Sequence, residues 1–351
     1  MKKVPKRFYV YALLVLLICY LPFRPAVRPL EIVAGGSSTE MGTRLGTQCK
    51  TRIGLLVRVY LKGVVCRNDP RVFSAACQRA AELRRFIGQP YQEENDALAK
   101  AAGIPANAVL FGNSFVDLGY AGGACRSIVS RSVTGLLHAH NLDWDSLGGL
   151  ADWNICVTRR NPTDGRYRTV TIGLPGLVGA LDVVNEHGIA LSLNLVGSRG
   201  RAPAEPVFIL LRRVADTCAT FEQARAEIVK ASPDMAFILT LSAAREGKGA
   251  VFEPWGDRIR ERPLQETFVA AENSLSADGD TPDRGLVQTA LKTLPLQTVS
   301  DMQQALRHPD VLLSCNIYSV IFDYSADRLR LASGRTPAAK QRYREFRLFG
   351  R

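Results

Sequence analysis

From Val109 onward, short apolar runs bounded by Gly, Asn, Asp or Pro follow one another along the chain. They are Ser127–Ser132, Gly135–Ala139, Trp153–Thr158, Thr169–Gly173, Gly188–Asn194, Met235–Leu241, Ala250–Glu253, Ile317–Asp323 and Leu329–Ser333. That texture predicts strands. Between them, Pro206–Thr217, Thr220–Lys230, Gly285–Leu294 and Val299–His308 carry helix-type spacing. The stretch from Thr51 to Gly103 is largely helical in pattern, with Ala, Leu and charges recurring over Arg71–Ile87 and Gln92–Ala102. Residues 29–50 are rich in Gly, Ser and Thr and read as a linker or loop. Helices grouped between runs of strands predict a layered α+β fold and not a regular βαβ alternation.

Composition permits such a fold. With 351 residues, 46% of them hydrophobic and 22% charged, the chain can bury a sizeable core, which excludes disordered and collagen-like classes. The net charge of +12 invites a nucleic-acid or anionic-membrane reading, but its location argues otherwise. Lys2, Lys3, Lys6, Arg7, Arg24 and Arg28 stand in the first 28 residues without an acid. Lys340, Arg342, Arg344, Arg347 and Arg351 crowd the tail against Glu345, so the body between is nearly neutral. No basic surface interleaved with aromatics emerges, and no nucleic-acid partner is expected. Behind the basic start, Phe8–Phe23 is uncharged and mostly apolar, the pattern of an export signal or a short membrane anchor. Residues 1–28 are read in that way, with the rest of the chain on the periplasmic or extracellular side.

Export changes how the cysteines are read. Apart from Cys19 they are Cys49, Cys66, Cys77, Cys125, Cys156, Cys218 and Cys315, an odd number with no CxxC pair. Six could pair in an oxidising compartment and one would stay free. The G-x-S-x-G elbow is absent, and Gly173–Gly179 spells a turn and no phosphate-binding loop. Two spots remain. One is Gly122-Gly-Ala-Cys125-Arg-Ser-Ile-Val-Ser, a thiol at the start of a strand; the other is His138-Ala-His140-Asn141-Leu-Asp143-Trp144-Asp145, which ends the next. A hairpin joining the two strands would make Cys125 and Asp143 neighbours. Cys125 is then a buried small hydrophobe, or a bystander to an HxH metal pair completed by Asp143 or Asp145, or an activated nucleophile.

A family resemblance orders these readings. Asn113-Ser-Phe-Val-Asp-Leu-Gly, Ala124-Cys125-Arg-Ser-Ile-Val and Leu136-Leu-His-Ala-His-Asn141-Leu-Asp143-Trp144 resemble the cleavage-site region of N-terminal-nucleophile cysteine amidases. That group takes in the choloylglycine hydrolases, acid ceramidase, N-acylethanolamine amidase and the acyl-coenzyme A:6-aminopenicillanate acyltransferases. Further blocks agree in order: Pro175–Gly179 with Val184–Asn194, then Ala271-Glu-Asn273-Ser, then Ser319–Asp323 with Leu329–Pro337.

The resemblance implies a four-layer αββα sandwich and no cofactor or metal. It implies self-cleavage at Ala124–Cys125, which leaves residues 29–124 as a linker and helical propeptide bound to a catalytic domain of residues 125–351. Cys125 is then nucleophile, its new α-amino group the base, Asp143 the group that orients that amine, and Asn273 with Asn194 the oxyanion donors. Arg126 stands where relatives carry Thr and could favour the thiolate or recognise an anionic substrate. His140 replaces an Arg of the bile-salt and ceramide branches, and Trp144 leans toward the acyltransferases. Arg284 matches a basic residue of some relatives. With Arg126, His140 and Trp144 it forms the expected substrate-binding set. The expected activity is hydrolysis or transfer of the acyl group of a linear small-molecule amide of the N-acyl amine or N-acyl amino acid type, with a lipid-like acyl chain compatible with the apolar leader. The alternatives are an acyltransferase proper, or an inactive anchored binding protein on the same fold.

Overall fold

The structure, a computed structural model, describes residues 27–120, 123–144, 150, 152–196, 203–231, 237–255, 258–273 and 286–350. The apolar leader, Asp145 and Arg284 lie outside these residues. Among the described residues no helix is long and apolar enough to cross a membrane.

The chain opens with β1 (Leu30–Gly36) and α1 (Ser38–Leu55), which runs on into a π-helical stretch (Leu56–Val65). Then come α2 (Pro70–Leu83), α3 (Gln89–Ala102) and α4 (Ala106–Gly112). The expected linker over 29–50 is therefore a strand and a helix, and its small residues have other work. Ser37 caps α1: its Oγ accepts from Glu40 N at 3.3 Å while Glu40 Oε2 accepts from Ser37 N at 2.7 Å. Gly42 and Gly46 let α1 lie directly on α3, since a Cβ there would come within 2.3 Å of the Glu94 carbonyl and 2.4 Å of the Leu98 carbonyl. Composition alone could not separate a packing glycine from a loop glycine.

After this helical segment follow β2 (Gly123–Ser132), β3 (Gly135–Trp144), β4 (Cys156–Pro162), β5 (Thr169–Gly173), β6 (Asp182–Asn185) and β7 (Ile189–Leu195). Helices α5 (Val207–Thr217) and α6 (Phe221–Lys230) precede β8 (Phe237–Ala243), β9 (Lys248–Trp255), β10 (Arg258–Pro263) and β11 (Phe268–Ala271). The chain closes with α7 (Leu286–Leu291), α8 (Val299–Arg307), β12 (Asn316–Asp323), β13 (Arg328–Ser333) and β14 (Arg344–Arg347). Strands β1, β6, β10, β11 and β14 were not legible as apolar runs. They are short, lie at sheet edges or carry charged residues.

The strands form two sheets. One has the order β1-β4-β5-β6-β7-β8-β9-β10, the other β11-β2-β3-β12-β13-β14. Every pairing is antiparallel except β1 with β4, so the N-terminal segment lends the first sheet a parallel edge strand. Side chains alternate across the second sheet. Ile128, Leu137, Ala139, Ala270 and Ile321 face outward under Val287, Leu291, Met302 and Leu306 of α7 and α8. Val129, Leu136, Val269 and Ala271 face inward on Ile238 and Val251 of the first sheet. Helices α5 and α6 cover that sheet's other face. The layers are helix, sheet, sheet, helix, the αββα sandwich expected.

Candidate active site

A tight connection of two residues, Val133 and Thr134, joins β2 to β3 and sets the register at the far end of the hairpin. Ala124 pairs with Asp143 and Cys125 with Leu142, so the proximity expected from sequence is present. Alternation then separates the two groups. Cys125 points inward with Leu142, into the core between the sheets, whereas Asp143 lies on the outward face with Asn141 and Arg126. Both side chains are buried.

Around Cys125 the inward face is polar. The Cys125 backbone N donates to Asn273 Oδ1 at 2.8 Å, from just beyond β11. Asn194 of β7 stands beside it, its Nδ2 3.4 Å from the same Asn273 oxygen. Its Oδ1 accepts from Ser127 Oγ at 2.6 Å. The structure thus gathers Cys125 and Asn194 from a strand of each sheet and Asn273 from the segment just after β11. Arg126 Nη1 donates to the Cys125 carbonyl at 2.9 Å. Neither carboxylate oxygen of Asp143 makes a hydrogen bond of ordinary geometry. Burial raises its pKa to about 7, with Asn316, Arg126 and His140 nearby pulling the other way.

His140 lies wholly inside the sandwich, on the inward face one diagonal step from Cys125. Its Nδ1 is 2.8 Å from Asp182 Oδ2 of β6. Asp182 also accepts from Ser192 Oγ, and from Tyr318 OH at 2.5 Å. Burial alone would strip the proton from His140, but the Asp182 carboxylate outweighs it and, with a contribution from Cys125, holds the imidazole protonated to about pH 10. His138, two residues back, is bonded only to hydroxyls, Ser242 at 2.8 Å and Ser192 at 2.9 Å. Burial keeps it neutral, with a pKa lowered to about 4. Two histidines two residues apart therefore carry opposite charge states.

Next to Leu142 and Trp144 opens an apolar pocket, walled by Ile53, Val57, Tyr60 and Phe115 of the N-terminal segment and by Leu177 and Phe208 opposite. Nearly all of its surface is apolar, which suits an aliphatic or aromatic ligand. Trp144 Nε1 donates to Tyr60 OH, tying β3 to the π-helical stretch at its rim.

Asp182, Tyr318, Ser127, Ser192 and Asn316 were not singled out from the sequence. An acid opening the apolar run Asp182-Val-Val-Asn185 was the one available signal for Asp182. Tyr318 and Ser192 lie within apolar strands and give none.

Comparison with known proteins agrees with the resemblance drawn from the motifs. Residues 131–278 match the family model of acyl-coenzyme A:6-aminopenicillanic acid acyl-transferase. The acid ceramidase of Balaenoptera acutorostrata scammoni is 23% identical over 236 residues, 59% of this chain and 58% of that protein. The chain thus spans less than two thirds of that relative. Among solved structures, the Caenorhabditis elegans N-acylethanolamine-hydrolyzing acid amidase ortholog aligns at TM-score 0.46 and 19% identity, over 58% of this chain and 96% of its own. A variant of the conjugated bile acid hydrolase of Clostridium perfringens aligns at 0.46 and 11%, over 64% and 92%. The chain is thus similar in sequence to an acyl-transferase family over residues 131–278 and, at low identity, to an acid ceramidase.

Proposed function

We propose that the chain is a self-processing cysteine amidase that cuts or transfers the acyl group of a linear, apolar-chain amide. The observation that carries this reading is the environment of Cys125. Its nitrogen is held by Asn273 at 2.8 Å, Asn194 is beside it, and a buried, unbonded Asp143 carboxyl faces the preceding residue. Cleavage at Ala124–Cys125 turns that nitrogen into an α-amine with an ordinary pKa near ~8. The amine can take the thiol proton, and Asp143 gains a cation to pair with. Thiolate attack on the substrate carbonyl gives an acyl-enzyme, with an Asn amide placed to donate to the developing oxyanion. Water or an amine then releases the acyl group, which is the difference between hydrolase and acyltransferase.

The apolar cavity favours acyl chains of lipid type, and Arg126 stands beside Cys125 for a polar head. Residues 29–124 act on this reading as a small chain that stays bound after the cut, supported by the β1–β4 pairing. Residues 1–28, by their sequence, export or anchor the protein.

Intact mass and N-terminal sequencing of the purified protein test the proposal. Two chains are expected, the second beginning Cys125-Arg126-Ser127. A single uncut chain, unchanged by Cys125→Ala, overturns it. Acyl donors offered with and without competing amines separate hydrolysis from transfer.

A further inference from the structure

We propose that His140, held by Asp182, is the proton-handling partner of the Cys125 thiol while the chain is still uncut. This rests on the self-processing reading and adds what that reading lacks. Before cleavage the Cys125 nitrogen is an amide that donates to Asn273, so no α-amine exists to act as base. Another group must manage the thiol proton.

The geometry points to His140. It shares the inward face of the β2–β3 hairpin with Cys125, diagonally across, within the reach of a ring and a thiol. Its Nδ1 is committed to Asp182 at 2.8 Å, while Nε2 is buried with no hydrogen-bond partner. Cys125 is, after Asp182, the group that raises the pKa of the ring. Asp182 is itself fixed by Ser192 and Tyr318, so the imidazole has one orientation and one available nitrogen. A thiol, an imidazole and an orienting carboxylate is the arrangement of a cysteine–histidine relay, here built inside a sheet sandwich. The charged and titratable groups facing His140 are Asp182 from β6, Cys125 from β2, Tyr318 from β12 and His138 on its own strand, with Asp143 interacting from the opposite face.

The step balances as follows. The cluster loses one proton to water, leaving a thiolate beside the imidazolium. The thiolate forms a bond to the Ala124 carbonyl carbon, the Ala124–Cys125 C–N bond breaks, and Nε2 gives its proton to the departing nitrogen. Neutral His140 then takes a proton from the water that hydrolyses the Ala124 thioester, restoring thiolate and imidazolium and freeing the Ala124 carboxyl. Two protons of one coupled cluster govern the rate, so self-cleavage is bell-shaped in pH.

The test follows the first-order loss of freshly refolded uncut chain from about pH 5 to about pH 11, by intact mass, for wild type, His140→Gln, His140→Arg and Asp182→Asn, with circular dichroism and melting to establish folding. His140→Gln is expected to cut about 10²–10⁴-fold more slowly, the range for loss of a positioned proton-transfer group. His140→Arg keeps a cation that does not release its proton below about pH 12, so it retains the acid limb and loses the alkaline one. Wild-type cutting in folded His140→Gln overturns the inference, as does slower cutting with an unchanged pH profile in both His140 variants. If misfolding removes the glutamine and asparagine variants, the Arg profile decides alone. A wild-type chain that never cuts refutes the self-processing reading instead.

Discussion

Glu94 Oε2 lies 3.2 Å from Arg212 Nη2, and both side chains are fully excluded from solvent. Glu94 belongs to α3 in the N-terminal segment and Arg212 to α5, beyond Cys125. Glu94 Oε1 also accepts from Arg160 Nε at 3.1 Å, and Tyr91 OH of the same helix donates to Asp216 at 3.1 Å. One carboxylate of the N-terminal segment thus pairs with two buried guanidiniums from beyond residue 125, and Asp216 shares Arg212 at 2.9 Å.

On the proposed self-processing, the two resulting chains should therefore remain together. Co-elution on size exclusion checks this, and separation without denaturant would count against it. Glu94→Ala leaves buried Arg160 without its carboxylate and Arg212 with Asp216 alone, and should cost about 3–5 kcal/mol, seen as a melting temperature several degrees lower. Burial alone would raise the pKa of Glu94, but Arg212 and Arg160 outweigh it and hold it below the usual range. A lowered folded pKa gives stability that is present above the unfolded value near ~4.3 and is lost as pH falls below it. The variant should shed part of the acid-side loss of wild type in the same melting series.

Asp143 has the opposite sign. In the uncut chain its pKa is raised by burial to about 7, so folding binds a proton that the unfolded carboxyl, near ~3.9, has lost. The stability of an uncut Cys125→Ala chain should fall as pH rises from about 4 to about 7. Adding Asp143→Asn should flatten that slope, and thermal melts across the window read it. An unchanged slope would assign the pH dependence elsewhere. In the cysteine-bearing chain, Asp143→Ala should impair processing or activity.

Asn273→Ala removes the acceptor from the Cys125 nitrogen and the expected oxyanion donor. Amidase turnover should drop about 10²–10³-fold, with a smaller change in KM. Loss confined to KM would give Asn273 a binding role. Asn194→Ala should cost less, because Asn194 reaches the nitrogen only through Asn273 and Ser127.

Filling the apolar cavity should shorten the accepted chain. Ala108 is buried on its wall, and Ala108→Phe is expected to reduce kcat/KM for long acyl amides at least tenfold relative to short ones. Equal loss for both lengths would place the acyl chain elsewhere.

Much of this was legible from local pattern. The β2–β3 hairpin was readable because a short connection between two apolar runs fixes their register, and Asp143 opposite Ala124 follows from it. Asn194 and Asn273 could be placed by the ordered motif blocks, and the structure brings both to Cys125. Glycines 42 and 46 misled, because a helix-packing glycine and a loop glycine are the same residue until a partner helix is present.

By itself the sequence determined the α+β texture, the thiol at the head of a strand, and the partner strand that carries Asp143 and His140. Periodicity and short-range turns encode all of these. Only the tertiary structure decided that Cys125 and Asp143 face opposite sides of their sheet, that Asp182 reaches His140 across 42 residues of chain, and that Tyr318 reaches Asp182 across 136. It alone decided that β1 completes the other sheet. Those pairings are long-range and lie in strands buried on both faces, where a polar side chain leaves no period in the sequence and its partner can come from anywhere in the chain.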